Sequence, residues 1–313
     1  MTSHPRRFVA LTLLSLCAAC EAHAGSGSGY IAEAGPIPRP AGPMDRTQAE
    51  RYVLALVNHD RQEAGLSVVQ WDEVAAVAGR RHADDMARHG YTAHWGTDGS
   101  VPEERYTEAG GVHLSFENAA CFFDGTARDV DAAAKYDPVE LEKIETAFMA
   151  ETPPNDGHRQ NILKPHHTHF GVGLAMPVGL KQPCMSQEFV DEYGSYGPLP
   201  RRAHVGQGVT VQGEVSAPAK FGAIGVARID RATPLSVEHL NKTYTYPMPA
   251  PFVLYTPPGF KTPKPVQVQG NRFTIDVPLS DHGQPGRYEI SVWASFPGSA
   301  QLGMVSLRVI DVE

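Results

Sequence analysis

At 313 residues the chain exceeds one comfortable domain of about 100–200 residues, so two folded units with tails are expected. A hydrophobic fraction of 42% and a charged fraction of 20% are those of a globular protein with a sizeable core, which argues against wholesale disorder. The formal net charge of -8 at pH 7 opposes attraction to nucleic acid and to anionic lipid headgroups, and nucleic acid is not expected as a partner.

Arg6 and Arg7 precede an apolar run over residues 8–19, the charged-then-apolar order of a secretory signal, too short to span a bilayer. Residues 1–24 therefore read as a signal peptide, and the mature protein as exported: secreted, periplasmic or lipid-anchored. Two processing routes stay open. Ala22-His23-Ala24 before Gly25 is a small-x-small cleavage site. Ala18-Ala19-Cys20 resembles a lipoprotein box, with Cys17 where an aliphatic residue is usual, and a lipidated Cys20 would be the route to membrane attachment. Either cut leaves Cys121 and Cys184, and in an oxidising compartment an isolated pair is more often a disulfide than a metal site; two separate buried thiols are the alternative.

Residues 25–45, rich in Gly, Ser and Pro, suit a flexible linker. Thr47 with Glu50 forms a capping-box pattern, followed by a helical stripe of Tyr52, Val53, Leu56 and Val57 that ends near Gly65. A second helix from about Asp72 carries Val74, Ala78, His82 and Met86 on one face and turns His82 inward. A third, from about Pro138, carries Leu141, Ile144, Phe148 and Glu151 on one stripe. A helical turn over 158–163 and strand-like runs over 171–176 and 185–190 complete a set of helices around a small antiparallel sheet. Residues 193–202, with Gly194, Gly197, Pro198 and Pro200, read as a linker. Beyond it, Val209, Val211 and Val215, then Phe273, Ile275 and Val277, then Tyr288, Ile290 and Val292, then Val305, Leu307 and Val309 alternate with other residues. That period-two pattern predicts an all-β sandwich of immunoglobulin-like type over 203–313.

An ordered series of short blocks is more specific than any one of them: Leu56-Val57-Asn58, Arg61, Gly65-Leu66 and Trp71; His82-Ala83-Asp84-Asp85-Met86 and His94; Glu117-Asn118-Ala119; Gly157-His158-Arg159-Gln160-Asn161; Gly171-Val172-Gly173; Gln187 and Phe189. In order and spacing, residues 46–191 resemble the CAP superfamily of cysteine-rich secretory, antigen 5 and pathogenesis-related proteins. The resemblance implies an α+β fold, with an α-β-α sandwich over 46–195 ahead of the β-sandwich. It also implies a cleft lined by two His and two acidic residues, which fall on His94, Glu117, Glu151 and His158. Phe116 departs from the family's Gly before Glu117, and the stretch from Glu117 to Phe148 is longer than usual; both would reshape the cleft.

Two imidazoles and two carboxylates converging in a cleft suit a borderline divalent ion such as Zn²⁺, with His94 and His158 as ligands and the acids orienting the rings or acting as bases. A hydrogen-bonded cluster that only fixes the fold is the alternative. His82 reads as a core histidine bonded to a carbonyl, His166, His167 and His169 as a solvated loop, and Asp84 and Asp85 as a solvated helix flank. No Gly-x-Ser-x-Gly elbow, phosphate-binding Gly-Lys-Ser/Thr loop or His-Glu-x-x-His helix occurs. The function expected is an exported protein whose cleft binds a divalent metal and an extracellular or cell-envelope ligand, such as a lipid, glycan or wall fragment. A metal-assisted hydrolase, with Glu117 or Glu151 as base, is the alternative.

Overall fold

The structure is a computed structural model that describes residues 37–313 apart from Tyr244; the residues read as a signal peptide, Cys20 among them, and most of those read as an N-terminal linker lie outside the described residues. The first elements in the chain are α1 (Arg46–Glu63), β1 (Gln70–Trp71), α2 (Glu73–His89), α3 (Pro102–Ala109), β2 (Leu114–Ala120), α4 (Pro138–Met149), α5 (Gly157–Ile162), β3 (His169–Ala175) and β4 (Cys184–Asp191). The helices start where polar side chains satisfy their first N–H groups. Asp45 accepts from Gln48 N in a reciprocal capping box, two residues before the pattern read at Thr47, and Asp72 accepts from Val74 N and Ala75 N. Helix α2 stops at Gly90, whose φ of 69° lies in the left-handed region.

The first sheet has the order β1-β3-β4-β2, antiparallel except that β1 runs parallel to β3. Alternation along its strands builds two layers. Phe170, Val172 and Leu174 of β3, with Met185 and Phe189 of β4, share a buried cluster with Val53 and Val57 of α1 and with Leu141, Ile144 and Phe148 of α4. The opposite face takes α2. A Cβ on Gly173 would lie 2.0 Å from Arg80 N, so the helix backbone rests directly on a glycine strand.

Cys121 and Cys184 form a disulfide joining the end of β2 to the start of β4, beside the paired residues Ala120 and Met185. With its ends 63 positions apart in sequence, the bridge is expected to contribute about 2–5 kcal/mol. Urea unfolding of the Cys121→Ser/Cys184→Ser protein should show that loss, with a steeper slope because the unbridged unfolded chain exposes more surface. Two labelled thiols in unreduced native protein would contradict the bridge.

The remaining elements are β5 (Gly194–Tyr196), β6 (Arg202–Ala203), β7 (Gly208–Val215), β8 (Lys220–Ile229), α6 (Val237–Leu240), β9 (Val253–Tyr255), β10 (Gln267–Gln269), β11 (Arg272–Pro278), β12 (Gly286–Ser295) and β13 (Leu302–Val312). They form two sheets, β10-β11-β7-β5 and β6-β13-β12-β8-β9. Val209, Val211, Phe273 and Ile275 from the first share one core with Ile224, Val226, Ile290, Val292 and Ile310 from the second. The protein is therefore α+β, with a β-rich C-terminal part.

The segment read as a linker is structured: β5 pairs with β7, β6 pairs with β13, and Arg308 Nη1 donates to Gly197 O at 2.6 Å. Glycine and proline signalled irregular backbone, but the hydrogen-bonding groups of this segment are taken up by strand edges. The described residues cluster as one compact unit. The long β8–β9 connection joins its two parts. Leu235 N donates to Thr97 O at 2.9 Å, Asn241 Nδ2 donates to Gly90 O and Phe123 O, and Leu240 is buried in a cluster with Ala83, Met86 and Tyr91. No helix among the described residues is long and apolar enough to cross a membrane.

Candidate functional site

His94, Glu117, Glu151 and His158 line one cavity of about 770 Å³. His94 stands in the irregular segment after α2, Glu117 on β2, Glu151 two residues past the end of α4, and His158 on α5. Each ring is gripped by one carboxylate. His94 Nδ1 lies 2.9 Å from Glu117 Oε1, and His158 Nδ1 lies 2.5 Å from Glu151 Oε1, while His158 N donates to Glu151 Oε2 at 3.0 Å. The His158 ring also rests on Phe148, with centroids 4.4 Å apart. With Nδ1 engaged, each imidazole keeps Nε2 for another partner, and neither Nε2 has a hydrogen-bond partner among the described residues.

Glu117 is held from behind. Arg105 Nη2 donates to Glu117 Oε2 at 2.7 Å and to His94 O at 2.9 Å, so one buried guanidinium of α3 fixes both partners of the first His/Glu pair. Burial alone would raise the Glu117 carboxyl, but Arg105, with His82 and His94, holds it well below the usual range. The β2–β4 register places Glu117 directly opposite Glu188. Burial, and then the Glu117 charge, push the Glu188 carboxyl well above its ordinary value. Ser186 Oγ lies 3.0 Å from an oxygen of each carboxyl, and its single proton serves Glu117 when Glu188 holds a proton of its own.

The next register pair, Asn118 and Gln187, continues inward: Asn118 Nδ2 donates to Gln187 Oε1 and His158 O, Gln187 Nε2 donates to Glu145 Oε2, and Asn161 Nδ2 donates to Asn118 Oδ1. These three amides tie β2, β4, α4 and α5 together beneath the cleft. His82 is fully buried with Nε2 2.8 Å from Ala93 O, as a core histidine, and burial followed by Arg105 lowers it to about 4. His167 is not solvated: it is buried, with Nδ1 2.6 Å from Asp191 Oδ1 and its ring stacked on Phe189. Asp85 is not a bare flank either, since it accepts from Thr97 Oγ1 at 2.6 Å and from Tyr91.

The C-terminal part supplies one wall of the cavity through Thr245, Tyr246 and Met248. Tyr246 meets the Trp95 ring edge-on at 4.8 Å and donates a hydrogen bond to Glu103, which also lines the cavity. Phe116, the departure from the family's glycine, lines it too, with Lys164 Nζ 3.3 Å from its ring centre. Sequence reasoning gave no role to Arg105 or to the Tyr246 wall. Neither sits in a motif block, and α3 is too short to show a periodic stripe.

Residues 54–176 match the family model "CAP: Cysteine-rich secretory protein family", so this part of the chain is a CAP domain. The chain is 30% identical over 131 residues to "Uncharacterized protein YkwD" of Bacillus subtilis (strain 168), covering 42% of this chain and 44% of that one. It is 27% identical over 129 residues to "Uncharacterized membrane protein YlbC" of the same organism, covering 41% and 32% respectively. The chain thus spans less than half the length of both curated relatives. Among solved structures, an extracellular protein containing a SCP domain from Bacillus anthracis str. Ames aligns over 47% of this chain and 41% of that one, at 21% identity and a TM-score of 0.35.

Among the described residues no group of three or more His, Cys, Asp and Glu is arranged to hold a metal ion. The two carboxylates engage the rings at Nδ1 and leave the two Nε2 atoms without a partner among the described residues. A carboxylate on Nδ1 would orient each ring if its Nε2 were to ligate an ion, and His94 and His158 are the residues that could hold one.

Proposed function

We propose that the chain is an exported CAP-domain protein whose cleft binds a divalent metal ion such as Zn²⁺ through His94 and His158, together with an extracellular or cell-envelope ligand such as a lipid, glycan or wall fragment, without turnover. The observation that carries this reading is the pairing of each ring with a carboxylate, which fixes the tautomer and leaves Nε2 as the acceptor. The ion would supply a positive centre for an oxygen of the ligand. Glu117 and Glu151 would orient the rings and raise their basicity.

Binding is favoured over hydrolysis because each carboxylate is already committed to orienting a ring. Both oxygens of Glu117 are engaged, by His94 on one side and by Arg105 and Ser186 on the other; both oxygens of Glu151 are taken by His158. The disulfide supports an oxidising compartment and hence export. We infer further that the two C-terminal sheets form an immunoglobulin-like sandwich whose long β8–β9 connection shapes the cleft.

Calorimetric titration of chelator-stripped protein with Zn²⁺ tests the reading. One site per chain is expected, lost in the His94→Ala/His158→Ala protein and weakened about 10–100-fold by Glu117→Gln or Glu151→Gln. Unchanged binding in the double histidine variant would refute the ligand assignment. Zn-dependent hydrolysis of a peptide or ester, abolished by a Glu→Gln change that leaves the metal bound, would make the protein an enzyme instead.

A further inference from the structure

A second cavity, of about 470 Å³, opens between α3 and the ends of the C-terminal strands and is lined by Arg201, Arg202, Arg231 and Arg287. Arg287 is neutralised, with Nη1 2.6 Å from Glu104 Oε2. The other three form no ion pair among the described residues. Glu108, at the cavity wall, pairs instead with Arg81. Asp311, the register neighbour of Arg202, is the remaining carboxylate of the lining. Three unpaired guanidiniums thus face one unpaired carboxylate, in a chain whose formal net charge is -8.

Two of these guanidiniums are held in place without being neutralised. Arg201 Nη2 donates to Glu108 O at 3.0 Å and Arg231 Nη2 donates to Val312 O at 3.2 Å. A carbonyl partner orients the planar fork and leaves its other N–H groups and its full charge available, which is the preorganisation a tetrahedral oxyanion exploits through paired hydrogen bonds. The carbonyls at the C-terminal end of α3 oppose a nearby anion, but they carry fractional charges and Arg201 already covers Glu108 O. We propose that this cavity binds a phosphate group carried on a small organic ester, held between Arg201, Arg202 and Arg231. Its volume exceeds that of a bare oxyanion and leaves room for the ester. An occupant would touch both α3 of the CAP domain and the C-terminal strands, and so brace one against the other.

The test is calorimetry of the full chain with inorganic phosphate and with glycerol 3-phosphate, beside flotation with phosphatidylcholine vesicles with and without phosphatidic acid. Glycerol 3-phosphate should bind at one site, raise the unfolding temperature and lose affinity as salt rises. Arg202→Ala/Arg231→Ala, both at exposed positions, should weaken it about tenfold or more while zinc binding is unchanged. Phosphatidic acid-dependent flotation lost in the same variant, with no response to glycerol 3-phosphate, would keep the phosphate chemistry and assign its source to a lipid headgroup. Absence of binding in every arm, or binding that the double variant leaves intact, would overturn the proposal.

Discussion

Between about pH 7 and pH 10 the folded protein should lose stability, at a slope approaching 1.4 kcal/mol per pH unit for each buried carboxyl still protonated in the fold, Glu145 and Glu289 among them. Burial, and then the neighbouring Asp60, push Glu145 up to about 8; burial, and then Glu103, push Glu289 up to about 10. Both oxygens of Glu289 and Oε1 of Glu145 are buried without a donor, as expected where one proton is shared between two carboxyls. Glu103 is itself raised by burial and faces Tyr246, Arg105 and Glu289, with the Arg287–Glu104 pair close to Glu289.

The sign follows from which state holds the proton. Both folded values exceed the unfolded one of about 4.3, so this stabilisation is complete below that value and is lost as pH rises, until about 8 for Glu145 and about 10 for Glu289. His82 acts in the opposite sense: lowered to about 4, it contributes stability above its unfolded value of about 6.5 that is lost as pH falls. The two effects oppose each other in mild acid, so the slope is read cleanly above about pH 7, where His82 is neutral in both states. Glu289→Gln gives Glu103 an amide donor that does not titrate. It should flatten the slope and stabilise the protein at about pH 9, while changing little near pH 5. Urea midpoints measured across that range decide; a flat profile above pH 7, or an unchanged slope in the variant, would show that the pair does not share a proton.

Arg105→Met should destabilise the protein by about 3–5 kcal/mol, because a buried carboxylate loses its guanidinium partner. Arg105 is 2% exposed, donates to Glu117 Oε2, His94 O and Ser100 O, and stands close enough to Glu188 to act on its charge. The cost would fall on the cleft as well as on stability, since Glu117 would take up a proton and release the His94 ring. Combining Arg105→Met with Glu117→Gln should recover part of the loss, and the coupling from the double-mutant cycle measures the pair directly. Additive losses would mean that Arg105 acts through its carbonyl contacts alone.

Much of this was legible in the sequence where chemistry and period coincide. The stripes of α1, α2 and α4 follow from their 3.6-residue spacing, and the inward turn of His82 from its place on the α2 face. The four residues that the family resemblance singled out line one cavity, including Glu151, which lies beyond the helix that its stripe seemed to extend. Other features depend on contacts distant in sequence. The pairing of Glu117 with Glu188 is a matter of strand register, which no local pattern in Leu114–Ala120 reveals. Residues 193–202 read as a linker because glycine and proline report backbone freedom, whereas their strand partners lie far along the chain at β7 and β13. Tyr246 reaches the cleft from a connection whose course is set by Leu240 docking beside Met86, a tertiary event with no local signature.

The central claim is that His94 and His158 present their Nε2 atoms to a metal while carboxylates hold them from behind. X-ray absorption of the zinc-loaded chain tests it most directly. The account predicts the scattering pattern of two imidazole rings, with nitrogen at about 2.0–2.1 Å and light-atom ligands completing the shell, and its disappearance in the His94→Ala/His158→Ala protein. The same imidazole signature in that variant would place the metal elsewhere and reduce the four cleft residues to a hydrogen-bonded scaffold.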